Sequence, residues 1–138
     1  MYRLLAVVRP AVIGLLVLAA GPAWALNTVN PGTVVLKSTF ESISVRAPFT
    51  GDDNGDATAI IEYRVTGTSP WLAAYTPMVD RRATVGNAAS DNTANRYQAR
   101  GSIVGLTQNV SYDVQVTWSD PDGLDGAQET FSAVTTLL

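Results

Sequence analysis

The chain has no cysteine and no histidine among its 138 residues. The first absence removes disulfides, thiol nucleophiles and thiolate metal ligands. The second removes an imidazole base and any Ser-His-Asp triad, and together they leave no His/Cys zinc site. Glutamate is scarce as well: Glu41, Glu62 and Glu129 are the only three, and nine of the twelve acidic residues are aspartates. Most of those aspartates fall between hydrophobic runs, where Asp is a turn former. Glycoside hydrolysis needs two facing carboxyl groups, and Glu62 falls on the solvent side of an alternating run. No Gly-rich loop follows a strand and opens a helix, so no phosphate cradle is built. The expectation is a protein that is not an enzyme.

Sustained helical periodicity is also missing after the first 25 residues, which hold an apolar stretch of another kind. Arg3 and Arg9 precede an uncharged run over residues 11–20, and Gly21 and Pro22 break it ahead of Ala23-Trp24-Ala25. A basic start, a short apolar run and a small-x-small end form the pattern of a secretory signal peptide cut after Ala25. A membrane span needs about 20 apolar residues, and Pro10 and Pro22 bracket a shorter run. The organisation expected is therefore a signal peptide, 1–25, and one domain, 26–138. The protein would be exported to the periplasm, the cell surface or the medium, with no membrane attachment after cleavage. Export without disulfides fits a bacterial envelope. The 113 residues left would carry seven basic and twelve acidic groups, a net charge of −5. Nucleic acid, which calls for a basic face, is not expected as a partner.

What recurs along those residues is alternation broken by Gly, Asn, Asp and Pro clusters, the mark of short strands and turns. Val34, Val35 and Leu36 suggest a first strand after Pro31-Gly32. Ile43, Val45 and Ala47 alternate with Ser44 and Arg46 up to Pro48, and Ile61, Tyr63 and Val65 alternate with Glu62 and Arg64. The clearest run is Val110, Tyr112, Val114, Val116 and Trp118, whose intervening residues are all polar. One face of that strand is apolar and the other polar, as a sheet half-facing water requires. A last strand covers residues 129–136. Residues 79–97, rich in Ala, Asn, Asp and Thr, read as a long irregular connection. The class is all-β, a sandwich of two sheets.

The run Gly105-Leu106-Thr107-Gln108-Asn109-Val110-Ser111-Tyr112 resembles the fibronectin type III pattern Gly-Leu-x-Pro-x-Thr-x-Tyr. Gly105, Leu106 and Tyr112 match it, Gln108 and Val110 replace its Pro and Thr, and Ala47 stands where strand B usually carries Trp. A Tyr at that place bonds its hydroxyl to upstream backbone and fixes the crossover between sheets. The order Gly51-Asp52-Asp53-Asn54, Ala57-Thr58, Glu62-Tyr63-Arg64, Gly67, Trp71, Gly101-Ser102-Ile103 and Ser119-Asp120-Pro121-Asp122-Gly123 is similar to the module that precedes a right-handed parallel β-helix in many exported bacterial proteins. The resemblance implies a fibronectin type III-like (immunoglobulin-like) Greek-key β-sandwich acting as an accessory module, often beside polysaccharide or at the cell surface.

Two groups of residues are candidates for function. Asp52, Asp53 and Asp56 lie in the expected B–C loop, and Asp120, Asp122 and Asp125 in the F–G loop. These loops leave one end of such a sandwich, so six carboxylates would converge there. Hard oxygen ligands suit Ca²⁺, the one cofactor the sequence suggests, and self-capping turns explain the same residues. Trp71, Tyr75 and Tyr97 fall outside the strongest strands and could stack on sugar rings or anchor a protein. Tyr112 and Trp118 belong to the core, and Trp71 could equally cover a sheet edge. Arg81, Arg82, Arg96 and Arg100 flank the long connection and could form a cationic rim for an acidic polysaccharide, while a solvated surface or pairing with the many Asp residues explains them as well. The functions expected are a non-catalytic binding or adhesion module of the cell envelope for a glycan or protein, a spacer or assembly subunit, or an accessory domain beside a β-helix carbohydrate-active protein.

Overall fold

The computed structural model describes residues 26–81 and 97–138. The expected signal peptide, together with Arg82, Arg96 and most of the long connection, lies outside the described residues. Those described form nine strands: β1 (Asn30–Pro31), β2 (Val35–Ser38), β3 (Ser42–Thr50), β4 (Thr58–Val65), β5 (Leu72–Ala73), β6 (Met78–Asp80), β7 (Gln98–Val104), β8 (Ser111–Ser119) and β9 (Glu129–Thr135). Among the described residues there is no helix. One antiparallel sheet has the order β1-β3-β7-β6, with β2 also on β3, and the other has the order β5-β4-β8-β9. The fold is all-β and sandwich-like.

Alternation is what places the core between the sheets. Ile43, Val45, Ala47 and Phe49 of β3 are buried, as are Ala59 and Ile61 of β4 and every second residue of β8 from Tyr112 to Trp118. The apolar side of each run turns inward because burying a Val or Ile side chain is worth roughly 1.5–3 kcal/mol. Trp118 is fully buried, its ring 4.9 Å from that of Phe49 across the two sheets. Phe49 thus puts a large ring on β3 two residues beyond Ala47. The sheets approach closely at Gly101, where an added Cβ would come within 2.4 Å of Ile61 Cδ1.

Three expectations about strands are corrected. The second strand does not end at Pro48. It runs on through Phe49 to Thr50, with Pro48 opposite Gln98 of β7. The Phe49 amide donates to the Tyr97 carbonyl, so the odd-numbered residues of β3 face β7, and the Pro48 nitrogen points the other way. There it meets the gap between β1 and β2, where no ladder donor is needed. The first expected strand begins at Val35 rather than Val34, and a separate two-residue strand, β1, precedes it, with residues 32–34 between the two. The connection is not irregular from its start, since Met78, Val79 and Asp80 pair with β7.

Gly105, Leu106 and Tyr112 sit at the β7–β8 crossover. Leu106 enters the core, its amide donating to the Glu41 carbonyl at 3.0 Å. The Thr107 amide donates to the Tyr112 hydroxyl at 3.0 Å. Tyr112 is 5 % exposed, so this bond satisfies a polar atom that burial would otherwise strand.

Candidate functional site

The β3–β4 and β8–β9 loops leave one end of the fold and bring aspartates together. One carboxylate oxygen from each of Asp52, Asp56 and Asp120 lies within 4.8 Å of the others. The local chain explains much of this. Asp52 adopts φ 59°, a left-handed conformation Asp tolerates, which turns its carboxylate back into the loop. There Oδ1 accepts from the Ala57 amide at 3.0 Å and Oδ2 accepts from Arg81 Nε. Arg81 Nη2 also donates to the Ala57 carbonyl. The Asp120 carboxylate caps its own turn, Oδ1 accepting from the Asp122 amide at 2.8 Å.

Four further bonds at this end hold a segment of chain rather than a loop. Asp120 Oδ2 accepts from the Val29 amide at 2.9 Å, and Asp53 Oδ2 accepts from the Leu26 amide at 2.9 Å. The Asp53 amide donates back to the Leu26 carbonyl, and the Asp125 amide donates to the Val29 carbonyl. Val29 is fully buried and bridges to Leu124. Residues 26–29 therefore form a strap threaded between the two loops. Asp122 accepts from Asn54 Nδ2 at 2.5 Å.

The Ala57 amide and Arg81 thus engage the Asp52 carboxylate, and strap and turn amides engage those of Asp53 and Asp120. Asp56 is exposed, and its carboxyl is held above its usual pKa by desolvation and by the charges of Asp122, Asp120 and Asp52. Among the described residues, this end carries more negative charge than Arg81 offsets.

The second candidate region is the outer face of the β5-β4-β8-β9 sheet. Register places Ala73, Glu62, Gln115 and Phe131 in one row across it and Arg64, Asp113 and Ala133 in the next, with Trp71 just ahead of β5 beside Arg64. The Arg64 guanidinium lies 4.2 Å from the centre of the Trp71 ring, a cation–π contact. Arg64 is itself fixed by Asp113, whose Oδ2 accepts from its Nε at 3.1 Å. Burial alone would raise the Asp113 pKa. Hydrogen bonds from the Thr66 hydroxyl, Arg64 and the Gly67 amide, with the Arg64 charge, outweigh it and lower the pKa. The Trp71 and Phe131 ring centres are 6.3 Å apart, although β4 and β8 run between their strands. With strands about 4.8 Å apart, the Trp71 side chain must lie across the face rather than stand up from it. Gln115, on this nominally wet side, is only 7 % exposed, as such a cover requires.

The other singled-out residues go elsewhere. Tyr75 is 77 % exposed beyond β5, while Tyr97 packs edge-to-face on Phe49 at the other sheet. The three aromatics share no ring contact among the described residues. Arg81 and Arg100 do not form a rim, since they pair with the buried carboxylates of Asp52 and Asp80. Phe131, 60 % exposed, was not a sequence candidate. Its strand mixes small and polar residues on both sides, so only the register with β8 reveals which face it occupies.

No protein-family model matches the chain, and no curated protein sequence matches it either.

Proposed function

We propose that the chain is a non-catalytic, exported bacterial binding module of fibronectin type III-like topology, whose Trp71–Phe131 face takes a cell-surface glycan. The topology reading is supported by the strand order. In immunoglobulin-like naming, β1/β2, β3 and β7 would correspond to A, B and E, with β6 added beside E, and β5, β4, β8 and β9 to C′, C, F and G. The Thr107–Tyr112 bond at the E–F crossover supports it further. The observation that carries the glycan reading is the pairing of exposed Phe131 with half-exposed Trp71, rings 6.3 Å apart and tilted 42° to each other, on an outer sheet face. Sugar C–H faces pack on aromatic rings, and Glu62, Arg64 and Asp113 beside the rings offer charged partners for hydroxyl groups. On a glycan array, Phe131→Ala is expected to cut binding about tenfold or more, the cost of one buried aromatic anchor. Trp71→Ala should do the same. An array on which the unaltered protein binds nothing would remove the glycan.

The edge of β9 favours a second reading, an assembly subunit. The Trp118 amide donates to the Gln128 carbonyl and the Thr136 amide to the Val110 carbonyl. Even-numbered residues of β9 therefore face β8, and the backbone of Glu129, Phe131 and Ala133 faces the open edge. A groove of about 320 Å³ runs beside it, lined by Pro31, Gly32, Thr33, Val34, Thr130 and Phe131. This edge has no Lys, Pro or bulge of the kind that blocks strand addition. Light scattering should then show mass rising with concentration, and a strict monomer at millimolar protein would sink this reading.

A further inference from the structure

We propose that hydrolysis of the Ala25–Leu26 peptide bond makes the acidic end of the fold a receptor for the chain's own new amino terminus, with Asp53 as its carboxylate partner. This rests on the export reading. Two independent features meet at one bond: the small-x-small motif ends at Ala25, and the next residue is held to the body at both backbone atoms. The Leu26 nitrogen lies 2.9 Å from Asp53 Oδ2, and the Leu26 carbonyl accepts from the Asp53 amide at 3.2 Å. Val29, three residues on, is clamped by Asp120 and Asp125, which fixes the register of the strap.

The chemistry of the nitrogen changes on cleavage. Before it, Leu26 offers a neutral amide with one hydrogen. A leader peptidase adds water across the bond, leaving a carboxylate on Ala25 and a primary amine on Leu26. With an ordinary α-amino pKa of about 7.7–8.0, that amine is mostly protonated at neutral pH and offers three donors. The hydrogen bond to Asp53 becomes an ammonium–carboxylate pair, shorter and stronger than its neutral counterpart. The new charge also arrives where it is needed. Asp52, Asp53, Asp56, Asp120 and Asp122 crowd this end, and Arg81 is already committed to Asp52. Processing therefore supplies the cation that the loops lack and tightens the strap once the leader has gone.

The test starts from the full chain, carrying Lys37→Arg so that acetic anhydride can reach no side-chain amine, since Lys37 is the only lysine. It is expressed in a bacterial host and the exported protein is recovered. Its intact mass should correspond to a start at Leu26. Acetylating the terminus should lower Tm by about 2–4 °C, the range for an exposed pair in a domain this size. In Asp53→Asn the same acetylation should change nothing, and 1 M NaCl should erase the difference in the Asp53 protein. A start at Leu26 with equal shifts in both backgrounds, or with no shift in either, would overturn the latch and leave the export reading intact. A retained leader or a different first residue would overturn the export reading itself, and the latch with it.

Discussion

Asp52→Ala is expected to lower unfolding free energy by about 3 kcal/mol, because the lost carboxylate joins two elements from a dry position. The Asp52 side chain is fully buried, while that of Arg81 is 27 % exposed. Removing the anion leaves the buried Ala57 amide without its acceptor and the guanidinium without its counter-charge. An orphaned buried amide costs roughly 1–3 kcal/mol, and breaking a buried ion pair from one side costs about 3–5. Two effects hold the sum down. Arg81 regains some water because it is partly exposed, and Asp56 and Asp120 lose a like-charged neighbour within 4.8 Å. Asp52→Asn separates the contributions: it keeps an acceptor for Ala57 and a residue type that accepts φ 59°, so its loss should be about half as large. Urea unfolding measures both, with an unchanged m-value showing that the midpoint shift is a stability change. A loss below 1 kcal/mol for Asp52→Ala would mean that the loop is held by its turns and not by this pair.

The same residue shows how far sequence reading reaches. Clean period-two alternation made β3, β4 and β8 legible, with Tyr112 and Trp118 in the core, because burial on one face writes itself directly into spacing. The strand β7 was hidden. Gln98, Arg100 and Ser102 look polar and Gly101 looks like a breaker, yet Gly101 is where Ile61 of the opposite sheet leaves no room for a Cβ. Pro48 looked like a strand end because its missing donor matters only if a partner needs it, and which edge it faces is a tertiary fact. In the loops, residue type alone pointed to acidic crowding. The bonds that use it span 27 and 91 residues, from Leu26 to Asp53 and from Val29 to Asp120. No local pattern specifies such pairings. Trp71 was visible as an aromatic outside the strong strands, but its stacking on Arg64 and its approach to Phe131 depend on the register of four strands at once.

Gly51→Ala should cost about 4 kcal/mol and act by expelling the strap rather than by loosening the core. Gly51 sits at φ 81°, where an L side chain costs roughly 1–2 kcal/mol. A Cβ there would stand 2.0 Å from the Thr28 carbonyl oxygen and 3.3 Å from that of Leu26. Both obstacles are backbone, so no rotamer change relieves the contact and residues 26–29 must move. Moving them exposes Val29, now fully buried, a loss of roughly 1.5–3 kcal/mol. It also breaks the bonds of Leu26 to Asp53 and of Val29 to Asp120. Hydrogen exchange distinguishes this local loss from general loosening: amides 26–29 and Asp125 should lose protection first, while Val114 and Val116 in β8 keep theirs. The row beside Trp71 crosses β4 at Arg64, six residues from the loop end of that strand at Thr58 and about 20 Å away. Any glycan binding that survives in the folded fraction of Gly51→Ala would show that the strapped end and the aromatic face are separate devices. A variant that keeps its Tm within 2 °C, with amides 26–29 still protected, would show that the strap does not lie against Gly51.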